Sequence, residues 1–264
     1  IRRPPRSTLS LHDALPILRE AGFLNCFELI TVPQEFLGKL TYVVAFYYVN
    51  SMDFPQSLKI ARKKLSEKIS AEALELINGA KKLSHSEVIP ESLKVGDVVP
   101  NFALPNQNGQ LIGIEQILKR GSVVISFYRG TWCQFCSLEL KALQQALPAI
   151  NTLGGTLIAI SPQTFVDSSD SLEEFNFETL IDKRNQVAKQ FGIVLQIPEK
   201  SRIHYENLGI YLPRYNGDES FELPIPATFI VNQDGKIHYA FIDSDFTERL
   251  DPVEIVTILR QMTV

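Results

Sequence analysis

The stretch Ser122-Val-Val-Ile-Ser-Phe-Tyr-Arg-Gly-Thr-Trp-Cys-Gln-Phe-Cys136 joins a continuous apolar run to a Cys-x-x-Cys pair. Its first seven residues have the length and composition of a strand that is buried on both faces. Apolar residues then recur at helical spacing from Cys133 to Leu147, so a helix is expected to begin at the pair. A second buried strand is predicted at Thr156-Leu-Ile-Ala-Ile160. Together they predict a βαβ unit with the two cysteines at the first strand-to-helix junction.

The elements after this unit predict a mixed sheet flanked by helices. Two strands, Ala227–Asn232 and Ile237–Ile242, are joined by a turn that contains Asp-Gly, and Pro252–Met262 is expected to form a closing helix. The remaining predicted elements are an extended entry Gly96–Leu104, a hairpin turn at Asn108-Gly109, a short helix around Leu172–Phe175, a strand Glu178–Ile181 and a helix Asn185–Phe191. The fold class is therefore α/β, with a βαβ unit, a β-hairpin and a C-terminal helix.

A helical segment is predicted before this α/β domain. Asp53–Ala80 carries apolar residues near helical spacing, and Ser70 is suited to cap the second half of the segment. We therefore divide the chain into an N-terminal helical segment, residues 52–92, and an α/β domain, residues 93–264.

The first 51 residues have a different character. Within residues 1–17 lies a stretch that resembles one reading frame of a common sequencing adapter, so these residues are excluded from the fold. We expect residues 1–51 to be non-native or upstream read-through, with the native protein beginning at Met52. The alternative is a genuine N-terminal extension.

Composition excludes several classes of function. The 264 residues carry a net charge of -4, which gives no reason to expect a nucleic-acid partner. No apolar run approaches the roughly 20 residues that span a bilayer, so no membrane association is expected. Three cysteines cannot build a disulfide framework, and two of them lie three positions apart. These features favour a cytoplasmic protein and indicate no cofactor.

The Cys-x-x-Cys pair is suited to thiol redox chemistry. The thiolate is the reactive form, and a sulfur at the start of a helix lies near backbone N–H groups and the positive end of the helix dipole. Cys136, one turn after Cys133, can attack a mixed disulfide or condense with a sulfenic acid. A zinc site would need two further ligands, and no second Cys or His pair is present. No metal is therefore expected, and an inert buried pair is the remaining alternative.

Four motifs carry a family resemblance. They are Gly96-Asp-x-x-Pro100-x-Phe102, Phe127-Tyr-Arg-Gly-x-Trp-Cys-x-x-Cys136, Ala159-Ile-Ser-Pro-Gln163 and Ala240-Phe-Ile-Asp-x-Asp245. With them the chain resembles the peroxiredoxin-like proteins of the AhpC/TSA (redoxin) family. The resemblance implies the thioredoxin fold, thiol-dependent reduction of hydroperoxides or disulfides, and recycling by a thioredoxin-like donor. A homodimer is compatible with it.

The sequence also departs from the peroxiredoxin pattern. Peroxiredoxins proper have Pro-x-x-x-Thr-x-x-Cys, and if their cysteine aligns with Cys136, the Thr position holds Cys133 and the Pro position holds Arg129. The distant Arg of that family would fall at Pro226, and the buried Asp of thioredoxin would fall at Ser126. Both departures place the sequence between peroxidases and disulfide reductases.

The segment around Pro226 is the second site signal. Proline immediately before a strand is ordinarily only a starting residue. In the thioredoxin fold, however, a cis proline at this position lies beside the dithiol, and Pro-Ala-Thr-Phe resembles the TlpA/ResA reductases. We therefore predict a cis Pro226 at the site, with Thr228 in support.

Arg129 precedes the dithiol by four residues. Its positive charge could favour a thiolate or hold an anion; alternatively it is a solvated loop residue paired with an acid such as Glu139. The predicted catalytic residues are Cys133 and Cys136, and the predicted supporting residues are Arg129, Thr131, Trp132, Pro226 and Thr228.

These observations lead to three functional hypotheses. The first is a cytoplasmic peroxiredoxin-like antioxidant enzyme that reduces hydroperoxides. The second is a TlpA/ResA- or thioredoxin-like protein-disulfide reductase, and the third is a redox-sensing binding protein without turnover. Which cysteine attacks first stays open, since the Trp-Cys dipeptide favours Cys133 and the peroxiredoxin alignment favours Cys136.

Overall fold

A computed structural model describes residues 54–164 and 175–263. The strands are β1 (Ala103–Pro105), β2 (Leu111–Gly113), β3 (Val123–Phe127), β4 (Thr156–Ser161), β5 (Glu178–Ile181), β6 (Val194–Gln196), β7 (Glu222–Pro224), β8 (Ala227–Val231) and β9 (Ile237–Ile242). The α-helices are α1 (Phe54–Lys68), α2 (Ala71–Leu83), α3 (Ile89–Glu91), α4 (Ile114–Leu118), α5 (Gln134–Thr152), α6 (Gln186–Gln190), α7 (Glu199–Asn207), α8 (Leu212–Asn216) and α9 (Pro252–Met262).

The central sheet has five strands in the order β5-β4-β3-β8-β9. Strands β3, β4 and β5 are parallel, whereas β8 runs antiparallel to β3 and β9 antiparallel to β8. Every residue of β3 and β8 is buried, as their continuous apolar composition predicts for strands covered on both faces. The predicted βαβ unit, hairpin and closing helix are thus confirmed, and the fold is the thioredoxin fold.

Alternating side chains of β3 face two different layers. Phe127 packs against Phe191, with ring centroids 4.8 Å apart, in the main apolar cluster of the described residues. Ser126 points to the other face, where its hydroxyl donates to a carboxylate of α5. Helices α1 and α9 both pack on α5. One face of β3 is therefore covered by the apolar cluster, and the other face is covered by α5, the helix that begins at the dithiol.

The predicted N-terminal helical segment is present but divided. Helix α1 ends at Lys68, and the hydroxyl of Ser70 accepts a hydrogen bond from the Ala73 N–H at the start of α2. This confirms Ser70 as the N-cap. The expectations for residues 1–51, and nearly all of the short helix predicted around 172–175, lie outside the described residues.

The prediction of a cis Pro226 is wrong, because the described residues contain no cis peptide bond. The trans form is intrinsically favoured before proline by about 0.5–1 kcal/mol. Here the Ile225 N–H also donates to the Ile193 carbonyl at 2.7 Å, which continues the antiparallel pairing of β6 with β7. The segment that leads into β8 is therefore held as extended chain.

The 194–224 segment was not predicted from the sequence. Strands β6 and β7 pair with each other, and helices α7 and α8 lie between them in the chain. A small apolar cluster of Ile197, Leu212 and Leu223 holds this segment, and Trp132 and Tyr205 pack against the cluster. The segment thus contacts the residue immediately before the first cysteine.

Candidate active site

Cys133 lies where the chain leaves the central sheet and enters α5. It occupies the N-cap position with extended backbone angles, and its side chain makes no capping hydrogen bond. The residue is 5% exposed. Since β3 ends at Phe127 and a loop of five residues follows, the strand and helix together fix the sulfur at the positive end of a 19-residue helix.

Cys136 lies one turn further along α5 and is completely buried. Its sulfur accepts hydrogen bonds from Nη2 of Arg249, at 3.3 Å, and from the backbone N–H of Arg129, at 3.5 Å. Both cysteines are free thiols. The second sulfur is thus reached by a charged donor that comes from a distant part of the chain.

Arg249 connects Cys136 to a buried carboxylate. Its Nε lies 2.6 Å from Oε2 of Glu139, and both side chains are almost fully buried. The same guanidinium donates to the carbonyl groups of Phe246 and Glu248. Burial raises the pKa of Glu139 to about 7, although Arg249 opposes the shift. The ion pair and the second cysteine therefore form one hydrogen-bonded group.

The two thiols have pKa values shifted in opposite directions. A hydrogen bond from Cys136 lowers the pKa of Cys133, and the positive charges of Arg129 and Arg249 lower it further against the opposing effect of burial. Burial, followed by the interaction with Cys133, raises the pKa of Cys136. The arrangement favours a thiolate at Cys133 and a thiol at Cys136.

Arg129 is 6% exposed and lies within an aromatic cage formed by Trp132, Tyr205 and Phe246. The guanidinium carbon is 5.0, 5.7 and 4.4 Å from the three ring centroids, respectively. One Nη2 hydrogen bond reaches the Tyr205 hydroxyl at 2.8 Å. Arg129 is therefore neither solvated nor paired with Glu139, and the alternative that made it a surface residue is wrong.

Thr131 and Trp132 shape the loop before the dithiol. The Thr131 N–H donates to Oε1 of Gln163 at 2.7 Å, and the Thr131 carbonyl accepts from the Ser137 hydroxyl at 3.0 Å. The indole N–H of Trp132 is buried without an acceptor among the described residues. The loop is thereby tied both to the end of β4 and to the first turn of α5.

Comparison with known proteins identifies the family. The AhpC/TSA family model matches residues 95–240, which is more than half of the chain. The chain belongs to the AhpC/TSA family. Peroxiredoxin Bcp of Escherichia coli (strain K12) is 26% identical over 167 residues, covering 61% of this chain and 93% of that protein. Thiol-disulfide oxidoreductase ResA of Bacillus thuringiensis subsp. konkukian (strain 97-27) is 22% identical over 150 residues, covering 56% and 69%, respectively.

A solved structure agrees with this assignment at the level of fold. Peroxiredoxin Q of Xanthomonas campestris superposes with a TM-score of 0.50 at 14% identity, covering 65% of this chain and all of that one. Together with the relatives, this makes the chain a peroxiredoxin-like, thiol-dependent oxidoreductase of the AhpC/TSA family.

Two predicted supporting residues lie at or within β8 rather than in the loop before the dithiol. Pro226 is buried just before β8. Thr228 is buried within β8, opposite Ser126 of β3. Their contribution to an AhpC/TSA active site stays a prediction.

Sequence reasoning considered Glu139 only as a surface partner of Arg129, and it missed Arg249 and two walls of the aromatic cage, Tyr205 and Phe246. In the sequence, none of the four stands out as a residue of the site. The spacing Cys136-x-x-Glu139, which places both side chains on one helical face, is the only local signal for any of them.

Neither a metal cluster nor a membrane helix is found in the described part of the chain. Within residues 54–164 and 175–263, no group of three or more His, Cys, Asp or Glu side chains is arranged to hold a metal ion. No helix in the same ranges is long and apolar enough to cross a membrane.

Gly130 makes the close approach of Trp132 possible. Its φ of +147° is in a region that glycine alone adopts readily, and a β-carbon there would lie 2.3 Å from the indole nitrogen. We expect Gly130→Ala to lower the free energy of unfolding by at least about 2 kcal/mol and to change the fluorescence of Trp132. Urea denaturation measures the first effect.

Gly109→Ala is the matched control for this substitution. Gly109 also has a positive φ, +76°, but nothing lies within 4 Å of the added carbon. We expect a loss of about 1 kcal/mol from backbone strain alone. Equal losses for the two variants would show that the contact with Trp132 contributes nothing.

Proposed function

We propose that this protein reduces hydroperoxides through a Cys133–Cys136 dithiol/disulfide cycle in which Cys133 attacks first. The observation that carries the proposal is the asymmetry of the pair. Cys133 occupies the N-cap position of α5, is the more exposed of the two and has a lowered pKa, whereas Cys136 is fully buried with a raised pKa. The likeness to peroxiredoxin Bcp supports hydroperoxide as the substrate.

The cycle requires two steps at sulfur. The Cys133 thiolate attacks one peroxide oxygen, so that an S–O bond forms, the O–O bond breaks, and the departing alkoxide takes a proton to become an alcohol. Cys136 then attacks the resulting sulfenic acid, which forms the disulfide and releases water. Arg129 stabilises the Cys133 thiolate before the first step, and Arg249 holds the Cys136 sulfur in place for the second.

A thioredoxin-like protein is the proposed reductant of the disulfide, as the resemblance to the AhpC/TSA family implies. A cytoplasmic location and a homodimer also stay proposals. Sedimentation of the reduced and oxidised protein tests the oligomeric state.

The decisive experiment is a coupled assay with hydrogen peroxide, thioredoxin, thioredoxin reductase and NADPH. We expect steady NADPH consumption that depends on both the protein and the peroxide. No NADPH consumption with thioredoxin, together with no loss of hydrogen peroxide when dithiothreitol is the reductant, would rule out a peroxidase.

A thiol-disulfide reductase is the second candidate. Cys133 at the N-cap and Cys136 in the first turn of α5 follow directly after a tryptophan, and ResA is among the relatives. Reduction of insulin disulfides distinguishes the two functions. Turnover of insulin without turnover of peroxide would favour the reductase.

A thiolate at Cys133 should be visible in the pH dependence of its alkylation. Because the folded structure lowers its pKa, alkylation by iodoacetamide should reach half its maximal rate well below pH 8.5, the ordinary value for a thiol. In Arg129→Met the midpoint should move to higher pH, since one of the stabilising charges is removed. Mass spectrometry of quenched samples gives the rate at Cys133.

Tyr205→Phe is the control for that shift. It removes the hydrogen bond to Arg129 but keeps the guanidinium charge and the ring. We expect its midpoint to stay closer to wild type than that of Arg129→Met. Identical pH profiles for wild type and Arg129→Met between pH 4 and 9 would contradict a role for Arg129 in activating Cys133.

A further inference from the structure

The loop between β9 and α9 carries two residues of the candidate site. Nη2 of Arg249 donates to the Cys136 sulfur, and the Phe246 ring lies 4.4 Å from the guanidinium carbon of Arg129. The loop runs between a strand and a helix, so neither residue belongs to a regular element. The position of the 243–249 loop therefore decides which contacts Arg249 and Phe246 make with the site.

The loop is folded by the two carboxylates of the motif Ala240-Phe-Ile-Asp-x-Asp245. Oδ1 of Asp243 accepts a hydrogen bond from the Asp245 N–H at 2.7 Å. Oδ1 of Asp245 accepts two, from the N–H and the hydroxyl of Thr247, at 3.0 and 2.8 Å. Thr247 is buried. The motif thus fixes Thr247, two positions before Arg249.

Helix α1 contacts the loop through Arg62. Its Nε donates to the Thr247 hydroxyl oxygen at 3.1 Å, and its Nη2 donates to the Thr247 carbonyl at 3.0 Å. The same Nη2 lies 2.8 Å from a carboxylate oxygen of Glu248. A guanidinium presents its donors in a rigid plane, so three contacts with two consecutive residues hold the backbone in one orientation.

Helix α2 contacts the loop through Lys81. Its Nζ lies 2.6 Å from Oδ2 of Asp245, and both side chains are half-buried. Burial acts to raise the pKa of Asp245, but the hydrogen bonds from Lys81 and Thr247 lower it overall, so the carboxylate is charged at neutral pH. The Thr247 hydroxyl accepts from Arg62 and donates to Asp245. The contacts from the two N-terminal helices therefore meet at one hydroxyl group.

The loop and the Arg249 side chain behave as one unit, because the guanidinium donates to two carbonyl groups of the loop itself. Glu139 and Cys136 of α5 hold this unit through the guanidinium. The two N-terminal helices hold it through the loop backbone and the Thr247 hydroxyl. A shift of the loop would therefore move Arg249 and Phe246 together.

We propose that Arg62 and Lys81 are positioning residues for the dithiol, which hold the 243–249 loop so that Arg249 stays on the Cys136 sulfur and Phe246 stays on Arg129. Both act on the sulfurs through the loop. The proposal rests on the Cys133–Cys136 cycle of the proposed function and adds the two N-terminal helices to the machinery of the site. These helices should then affect the chemistry of the thiols as well as the stability of the fold.

Thr247→Val tests the proposal without a change of charge. The substitution removes the hydroxyl that joins Arg62 to Asp245 and keeps the shape of the side chain. A looser loop brings Arg249 less often to the sulfurs, so the thiolate at Cys133 is stabilised less. We expect the pH midpoint for alkylation of Cys133 by iodoacetamide to rise by at least about half a pH unit.

Three lysine variants separate positioning from a general loss of stability or charge. Lys81→Met should raise the midpoint as Thr247→Val does, and Lys81→Arg should keep the wild-type midpoint because it retains a cation that reaches Asp245. Lys189→Met is the matched control. It breaks an ion pair of the same length, 2.6 Å, that joins α6 to Glu222 of β7. Its midpoint should stay within about 0.2 of a pH unit of wild type.

A second measurement follows the closing of the disulfide after one addition of hydrogen peroxide. Arg249 favours the charged form of the Cys136 sulfur, which is the form that attacks the sulfenic acid. In Thr247→Val and in Lys81→Met, dimedone should therefore trap the sulfenic acid at Cys133 for about ten times longer than in the wild-type protein. Lys81→Arg and Lys189→Met should close the disulfide at the wild-type rate.

The alkylation experiment decides the proposal, because it needs no peroxide. Wild-type midpoints in both Thr247→Val and Lys81→Met would overturn it, and so would an equal rise in Lys189→Met. Lys81 is half-buried, so its variants keep the test usable if Thr247→Val folds poorly. A wild-type protein that does not react with peroxide would contradict the proposed function, while the alkylation midpoints would still show whether Arg62 and Lys81 position the site.

Discussion

Replacing Cys133 with serine is expected to lower steady-state hydroperoxide consumption by at least about a thousandfold, because the hydroxyl of serine stays protonated where the thiol forms a thiolate. The variant should also fail to react in a single turnover, since Cys136 is fully buried and has a raised pKa. Stopped-flow measurement of peroxide loss and titration of free thiols check both results.

Cys136→Ser is the matched control, and unlike Cys133→Ser it should still react once with peroxide. It should consume about one equivalent of peroxide and then stop, leaving a sulfenic acid at Cys133 that dimedone traps. Full multiple turnover in either variant would contradict a two-cysteine cycle. A dimedone adduct at Cys136 in the Cys133→Ser variant would reverse the order of attack.

Arg249→Met is expected to lower the free energy of unfolding by about 3–5 kcal/mol. The substitution leaves the Glu139 carboxylate buried without its partner and removes a donor from the Cys136 sulfur. Urea denaturation of the reduced protein measures the loss.

Two variants show whether that loss comes from the unpaired carboxylate. Arg249→Met combined with Glu139→Leu should recover most of the stability, because no uncompensated charge remains. Lys63→Met, which breaks the exposed pair of Lys63 with Glu67, should change stability by less than about 0.5 kcal/mol. A single Arg249→Met variant as stable as wild type would show that the buried pair contributes nothing net.

The elements that the sequence predicts well are those with a continuous apolar run or a distinct turn. Strands β3, β4 and β8 are buried on both faces, so almost all of their residues are apolar and the strands can be recognised from the sequence. The hairpin between β1 and β2 turns at Gly109, which has a positive φ. Glycine adopts this angle readily, so the Asn108-Gly109 pair predicted the turn correctly.

The elements that the sequence predicts poorly depend on distant partners. Helix α5 was expected to end at Leu147, but it continues through Pro148 to Thr152 because Ala149 and Ile150 are buried in the core. Strands β6 and β7 are three residues long, and α7 is mostly polar, so the 194–224 segment has no strong periodicity of its own. Tertiary packing, and not local preference, determines these elements.

The same division applies to the candidate site. Cys133, Cys136 and Arg129 are close in sequence, and their chemistry can be inferred from their order along one strand, loop and helix. Glu139 and Arg249 are recognisable only as a pair, and nothing in either sequence neighbourhood indicates the other. The aromatic cage likewise collects Trp132, Tyr205 and Phe246 from three separate parts of the chain.

Arg249 follows Cys136 by 113 positions, which has a consequence for the protein during its synthesis. A nascent chain exposes the dithiol to the cell long before the ribosome has added β8, β9 and the loop that carries Arg249. Until β8 pairs with β3 and β9 with β8, Cys136 lacks its guanidinium partner and Glu139 lacks its counter-ion. We therefore expect incomplete chains to carry two thiols of ordinary reactivity, and the full chemistry of the pair to arise only on completion of the sheet.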